Sequence, residues 1–391
     1  MTKALTPPAD EILKTWRHDF HQHPETAFQE YRTSEQIKHI LNALPNLKVY
    51  PGLGKGTGIV AKLVGNKGPG PAIGLRADID ALDIVEKTGL PYQSSIQGKM
   101  HACGHDGHMT MLLGAAHTLA HHPNFHGTVY FIFQPAEENE GGAQVMVEEG
   151  LFKQFPMQAV YAVHNWPGLP LGEAAVNDHA VMAAFDIFNL KLIGKGCHAA
   201  MPNLGIDTIL AASQLITQLQ GVISRETPPQ EPAVLSFTSI HAGDTYNVIP
   251  EVVTLKGTIR CFDPKLRKQL QQRFHDAVKQ LAGFHQLSYE LDYQPRYPAT
   301  INHPKHAAFC LNALKSMSSI KRIHHNTTPS MGSEDFSFML EKVPGAYIWL
   351  GNGTDSAPLH NPNYDFNDQL LPIGVQYWLS LVKERLGQPA N

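Results

Sequence analysis

The chain has 391 residues, 42% of them hydrophobic and 17% charged, with a formal net charge of -4. These totals fit a soluble globular protein of more than one domain and give no reason to expect nucleic acid or an anionic membrane as a partner. The first twenty residues are polar and charged, no apolar run is long enough to span a bilayer, and the four cysteines (Cys103, Cys197, Cys261, Cys310) form no Cys-x-x-Cys pair. The expectation is therefore a cytoplasmic protein with no signal peptide and no disulfide scaffold.

In chain order, residues 9–45 read as helical, with Asp10 as a cap and apolar positions at Ile12, Leu13, Trp16 and Phe20. His23-Pro24-Glu25 interrupts, and the helix resumes at Ser34. Residues 56–63 read as a strand leaving a turn, and residues 71–78 as a short apolar strand ending at Asp78. Met109 to His121 has helical composition. Thr128 to Phe133 is β-branched and aromatic, a buried strand that runs into Gln134-Pro135-Ala136-Glu137-Glu138. Gln158 to Val163 is another such strand and ends at His164. Short buried strands alternating with helices predict an α/β sheet covered on both faces, and such sheets bind ligands at the carboxyl ends of their strands. Asp78, Glu137 with Glu138, and His164 all fall there.

The middle of the chain changes pattern. Residues 185–194, 233–240, 252–261 and 287–293 read as strands, and residues 207–223 and 264–281 as helices. That β-α-β-β-α-β order predicts a small inserted domain at 184–298. Residues 1–183 and 299–391 then form one domain around it, closing with helices near 304–317 and 368–386 and a strand at Ala346. His360 lies on the loop after that strand.

The chemistry concentrates in His101-Ala-Cys103-Gly-His105-Asp106-Gly-His108. Imidazole and thiolate are the common ligands of zinc and its neighbours, and packing alone does not call for this composition. Cys103, His105, Glu138, His164 and His360 make a five-residue ligand set, one of them able to bridge, which suits two metal ions better than one. Paired metals lower the pKa of a shared water and polarise a carbonyl. Adjacent carboxylates on an irregular loop point in different directions, so Glu138 can bind metal while Glu137 stands free as a general base. Asp78 is a candidate for orienting a ligating imidazole. In the insert, His198 sits on a Gly-rich loop, Asn247 offers a neutral hydrogen-bonding group, and Arg260 suits a substrate carboxylate. Gly332 to Phe336 places backbone N–H groups near a ligand or caps a helix.

At these residues the chain resembles the metal-dependent amidohydrolases that include bacterial hippurate hydrolases, N-acyl-amino-acid amidohydrolases and plant auxin-conjugate hydrolases, a branch of the aminoacylase-like metallopeptidases. The matching stretches are Arg76-Ala-Asp78, His101 to His108, Gln134 to Glu138, Val163-His164, Gly194 to Pro202, Asn247 to Pro250, Gly332 to Phe336 and Leu359-His360-Asn361. The resemblance implies a zinc-peptidase-like catalytic domain and a smaller lid domain that also dimerises. It implies two divalent metal ions per chain, zinc or manganese, held by Cys103, His105, Glu138, His164 and His360. Glu137 corresponds to the general base, Asp78 to the carboxylate behind the site, and His198 to a histidine that stabilises the oxyanion in the neighbouring subunit's site. Asn247 and Arg260 are candidate substrate binders.

The implied reaction is hydrolysis of the amide bond of an N-acyl amino acid. A dipeptidase or an N-acetyl-diaminopimelate-type deacetylase would use the same site, and a metal-free cysteine hydrolase would use Cys103 as nucleophile with His105 as base. The chain departs from its relatives in Arg76, where the wider superfamily has a His, in Cys197, where a second glycine is common, and in Asn203, where relatives often have His.

Overall fold

The computed structural model describes residues 8–138 and 140–388. The chain divides into two compact units. The first comprises the chain up to Val181, Ile301–Thr328 and the chain from Asp335 onward; the second comprises Met182–Thr300 and Pro329–Glu334.

The first unit opens with helices α1 (Asp10–Gln22) and α2 (Tyr31–Asn42). Asp10 does not cap α1: Ala9 occupies the N-cap with no side-chain hydrogen bond, and Asp10 lies inside the first turn, where a carboxylate still favours the helix dipole. Strands β1 (Leu47–Leu53), β2 (Gly58–Val64) and β3 (Ala72–Asp78) follow, then α3 (His105–His121), β4 (Thr128–Gln134), α4 (Gly142–Glu148), β5 (Ala159–Pro167) and β6 (Glu173–Val176). Helix α3 starts four residues before the expected Met109. Its N-cap is Gly104 at φ 93, a left-handed backbone that glycine adopts without strain. A Cβ there would also lie 2.4 Å from Asn165 Oδ1.

The second unit holds β7 (Ala184–Ile193), α5 (Thr208–Gly221), β8 (Ala233–His241), β9 (Val252–Cys261), α6 (Pro264–His285) and β10 (Ser288–Pro295). Its strands form an antiparallel sheet in the order β8-β9-β7-β10. Asp207 and Asp263 accept backbone N–H groups at the starts of α5 and α6, which fixes both helix entries. Phe188, Leu190, Leu192, Val253 and Leu255 alternate inward along β7 and β9 and meet Leu215, Leu219, Leu270 and Phe274 from the helices in a separate core.

The first unit closes with α7 (Pro304–Lys315), β11 (Arg322–His325), β12 (Gly345–Gly353) and α8 (Leu370–Leu386). Its eight strands run in the order β1-β2-β4-β3-β5-β12-β6-β11. The central strands β4, β3, β5 and β12 are mutually parallel. They are apolar nearly throughout, as strands buried on both faces must be. Helix α3 packs on α8 and α1 and is buried almost all round, with Met109, Leu112, Leu113 and Ala116 in the same core as Leu75, Phe131, Val163 and Ile348. The fold class expected from the sequence, an α/β sheet with an inserted β-α-β-β-α-β segment, is the one observed. No helix among the described residues is long and apolar enough to cross a membrane.

Candidate active site

Three parallel strands deliver the site. β3 ends at Asp78, β4 runs into Glu137-Glu138, and His164 lies near the end of β5. The register sets Asp78 beside Gln134 and His164 beside Trp349 of β12, so these side chains share a face at the carboxyl end of the sheet. Helix α3 enters from its N-terminus with His105 and His108, three residues apart and therefore on one side of the helix. His360 comes from the loop after β12, and its N–H donates to the Ala102 carbonyl at 2.8 Å.

All seven candidates in this unit converge. Ligand atoms of Cys103, His105 and His164 lie within 4.8 Å of one another, as do those of Cys103, Glu138 and His360, those of His105, Glu137 and Glu138, and those of Asp78, His105 and His108. Cys103 Sγ is 3.4 Å from His164 Nε2, and Glu138 Oε1 is 3.1 Å from His360 Nε2. Most of the cluster is buried; His360, with its side chain 52% exposed, forms the open side.

Residues outside the predicted set hold the cluster in place. Asp80 is buried, its Oδ1 3.2 Å from His105 Nδ1, while its Oδ2 accepts the Glu138 N–H at 2.9 Å. The imidazole that Asp78 binds is His108, at 2.6 Å. His108 Nε2 in turn meets the Asn165 side chain at 2.7 Å. Arg76 is fully engaged: it donates to Asp78 Oδ2 at 2.8 Å, to Gln134 at 2.7 Å and to Asp335 at 3.1 Å. Position 76 thus carries a buried cation shared between two buried carboxylates. Asp335 in the Gly332–Phe336 stretch donates its backbone N–H to Glu137 Oε1 at 3.4 Å. His101 joins none of the ligand groups; it is buried, and burial pushes its imidazole down to about 4.

The electrostatics match a cation site. Burial opposes a charged His105, yet Asp78, Asp80 and Glu138 outweigh it and raise that imidazole to about 10. Burial, reinforced by Glu138, Glu137 and Asp78, holds the Cys103 thiol far above its usual range. Burial and His108 push His164 well down. Against the cost of burial, His105, Arg76 and His108 keep Asp78 well below the carboxylate range. His105 Nε2 is buried without a hydrogen-bond partner and faces Asp78 Oδ2 at 3.6 Å. A cluster that binds a proton this tightly and leaves an imidazole nitrogen open suits a divalent cation, and its thiolate, imidazole and carboxylate donors are those of zinc-like metals.

The other three candidates lie in the second unit. His198 is exposed on a short strand paired with Val248, and its Nδ1 accepts the Ala200 N–H at 3.1 Å. Asn247 is exposed nearby, and its backbone carbonyl accepts the Ala199 N–H at 2.9 Å, so His198 and Asn247 belong to one loop pair. Arg260 on β9 is half-buried, donates to the Met331 carbonyl at 2.7 Å and lies over the Phe185 ring.

A mixed α/β sheet with a thiol, imidazoles and paired carboxylates gathered at the ends of its central parallel strands fits a metal-dependent amidohydrolase, and similarity to known proteins agrees. The chain belongs to peptidase family M20/M25/M40, whose family model matches residues 74–384. It is 38% identical to the hippurate hydrolase of Campylobacter jejuni over 371 residues, 95% of each chain. It is 36% identical to an N-acetylcysteine deacetylase of Bacillus subtilis, over 94% of this chain and 95% of that one. Among solved structures, a Bacillus subtilis dinuclear metal-binding peptidase of the M20 family superposes with a TM-score of 0.82 at 32% identity, covering 95% of this chain and 97% of that one.

Proposed function

We propose that the protein hydrolyses the amide bond of N-acyl amino acids, releasing a carboxylic acid and a free amino acid. The observation that carries this reading is the adjacent pair Glu137 and Glu138, both within ligand distance of His105. One carboxylate completes a metal site and its neighbour is left to move a proton. Cys103, His105, Glu138, His164 and His360 would hold two divalent ions, zinc or manganese. When bound, such a pair polarises the scissile carbonyl and acidifies the attacking water.

Glu137 accepts a proton from that water and passes it to the leaving amine. Asp78 fixes His108 and lies against His105, and Asp80 holds the other side of His105, so both imidazoles stay oriented through the reaction. Asn247 and Arg260 bind the substrate's polar end, the guanidinium taking the carboxylate. The insert acts as lid and dimerisation domain, and His198 donates to the oxyanion in the partner subunit's site. Four free cysteines support a reducing, cytoplasmic setting.

Release of amino acid from hippurate, a panel of N-acetyl amino acids and a set of dipeptides tests the substrate class. We expect turnover of the first two and little of the third. Dipeptide hydrolysis alone would replace this reading with a dipeptidase, and activity confined to N-acetyl-diaminopimelate would replace it with that deacetylase. The role of His198 has its own test. Mixed Glu137→Ala and His198→Ala chains, each inactive alone, should regain activity when heterodimers form; verified heterodimers without recovery would exclude action across subunits.

A further inference from the structure

The turn that presents Glu137 and Glu138 is strained. Ala136, immediately before them, has φ +54, a left-handed backbone that a residue with a Cβ disfavours. Such a conformation persists only where its surroundings over-determine it.

Two contacts do so here. The Ala136 carbonyl accepts the Gly142 N–H at 2.9 Å. Gly142 is the only residue type that fits, because a Cβ there would lie 1.7 Å from the Pro135 carbonyl oxygen. On the other side, the Ala136 N–H donates to Glu30 Oε1 at 2.9 Å, and the second oxygen of that carboxylate accepts the Thr57 hydroxyl at 3.0 Å.

Glu30 is an expensive way to supply an acceptor. It is fully buried, the Ala136 N–H and the Thr57 hydroxyl that donate to it are neutral, and burial together with Asp80 raises its carboxyl to about 7. A buried carboxyl group bonded to neutral donors lowers stability relative to a neutral residue, and Glu30 is 107 residues from Glu137 in sequence, so the fold and not the local chain brings it to the Ala136 N–H. Its position is explained by what it grips. After the turn, Asp80 Oδ2 fixes the Glu138 N–H. The peptide chain carrying the two carboxylates is thus held before and after them by two buried acids.

We propose that Glu30 is a positioning residue: its carboxylate clamps the Ala136 N–H and keeps the left-handed turn that aims Glu137 at the reacting water. The proposal rests on Glu137 being the general base. Without the clamp, Ala136 relaxes toward ordinary backbone angles and carries Glu137 with it. A shift of about 1 Å in a catalytic group costs on the order of 100-fold.

The test measures kcat, KM, bound metal per chain and thermal midpoint for Glu30→Ala, Glu30→Gln, Ala136→Gly and the double variant Glu30→Ala/Ala136→Gly, on whichever substrate the wild type turns over. Glu30→Ala should lower kcat about 10- to 100-fold with KM within about twofold and metal retained. Glu30→Gln keeps an oxygen for the Ala136 N–H and should stay within about threefold of wild type. Adding Ala136→Gly to Glu30→Ala should restore at least about tenfold of the loss, because glycine holds a positive φ without a clamp. A merely structural role would lower the thermal midpoint and would not be rescued by glycine. A folded Glu30→Ala chain with wild-type kcat, or a loss that Ala136→Gly leaves untouched, overturns the proposal.

Should Glu30→Ala fail to fold, Thr57→Val carries the same comparison, since it frees one carboxylate oxygen while keeping side-chain shape. Its kcat should fall severalfold and recover with Ala136→Gly, and an unchanged kcat overturns the clamp. Glu137→Ala in the same series separates the two ideas: if it keeps turnover, the base assignment fails and Glu30 with it; if it is inactive while the Glu30 variants are normal, only the clamp fails.

Discussion

Replacing Glu137 with alanine is expected to lower kcat about 10²- to 10⁴-fold, the span assigned to a positioned general base, while bound metal per chain stays at the wild-type value. The carboxylate is buried and adjacent to Glu138, and it accepts the Asp335 backbone N–H at 3.4 Å. Glu137→Gln tests charge separately from shape. The amide keeps the size and can accept the Asp335 N–H, but it cannot take a proton, so it should be nearly as inactive as alanine. KM should move little in either variant, because the lost interaction forms only as the proton transfers. Turnover within tenfold of wild type in a metal-loaded Glu137→Gln enzyme would remove Glu137 from the proton path. Loss of metal in step with loss of activity would instead make Glu137 a ligand.

Removing the metal should abolish turnover, and returning zinc or manganese after dialysis against a chelator should restore it. The accompanying variant is Cys103→Ala, expected to lower bound metal per chain and to cut kcat on the order of 10³-fold, equivalent to several kcal/mol of transition-state charge stabilisation. The competing role for Cys103 is that of nucleophile in a metal-free hydrolase. The imidazole hydrogen-bonded to the thiol is His164, at 3.4 Å, while Asp80 holds His105 Nδ1 and leaves its Nε2 facing the cluster, so metal content and chelator response decide between the two roles. A nucleophile needs no metal and predicts that Cys103→Ala leaves metal content unchanged. Turnover that survives verified metal removal and is lost on alkylation of Cys103 would establish the nucleophilic role.

Much of this site is legible in the sequence because it is local. Cys103, His105, Asp106 and His108 fall within six residues, and Glu137-Glu138 and His164 follow unmistakably apolar strands. What is not legible depends on tertiary placement. Asp80 lies two residues past the end of β3 in an unremarkable Ile-Asp-Ala-Leu stretch, and only the fold brings it against His105 and the Glu138 N–H. His108 was in view as part of the motif, but its pairing with Asp78 follows from the early start of α3. That start was hidden because Gly104 caps the helix through its backbone angles and lacks the side-chain signal of Ser, Thr, Asp or Asn. The missed strands share a cause. β1 contains Pro51 and Gly52, β6 is four residues rich in alanine, and β11 is polar, so each owes its conformation to pairing at or near a sheet edge and little to propensity. Glu30 shows the limit most clearly: in sequence it is one charged residue in the stretch before the helix resumes at Ser34, and nothing there reports that it is completely buried.

The candidate ligands are divided by the inserted unit. Four lie before it, between positions 103 and 164, and His360 lies after it. A metal pair held by this set would be a cross-link that closes a loop of nearly two hundred residues, from His164 to His360. An unfolded chain cannot assemble that ligand set, so the binding free energy is added to the native state alone and grows with free metal concentration as RT ln(1 + [M]/Kd). With that ligand set, the protein's resistance to unfolding would be a joint property of the polypeptide and the divalent-ion supply around it, and metal starvation would cost both the reaction and part of the scaffold's cohesion.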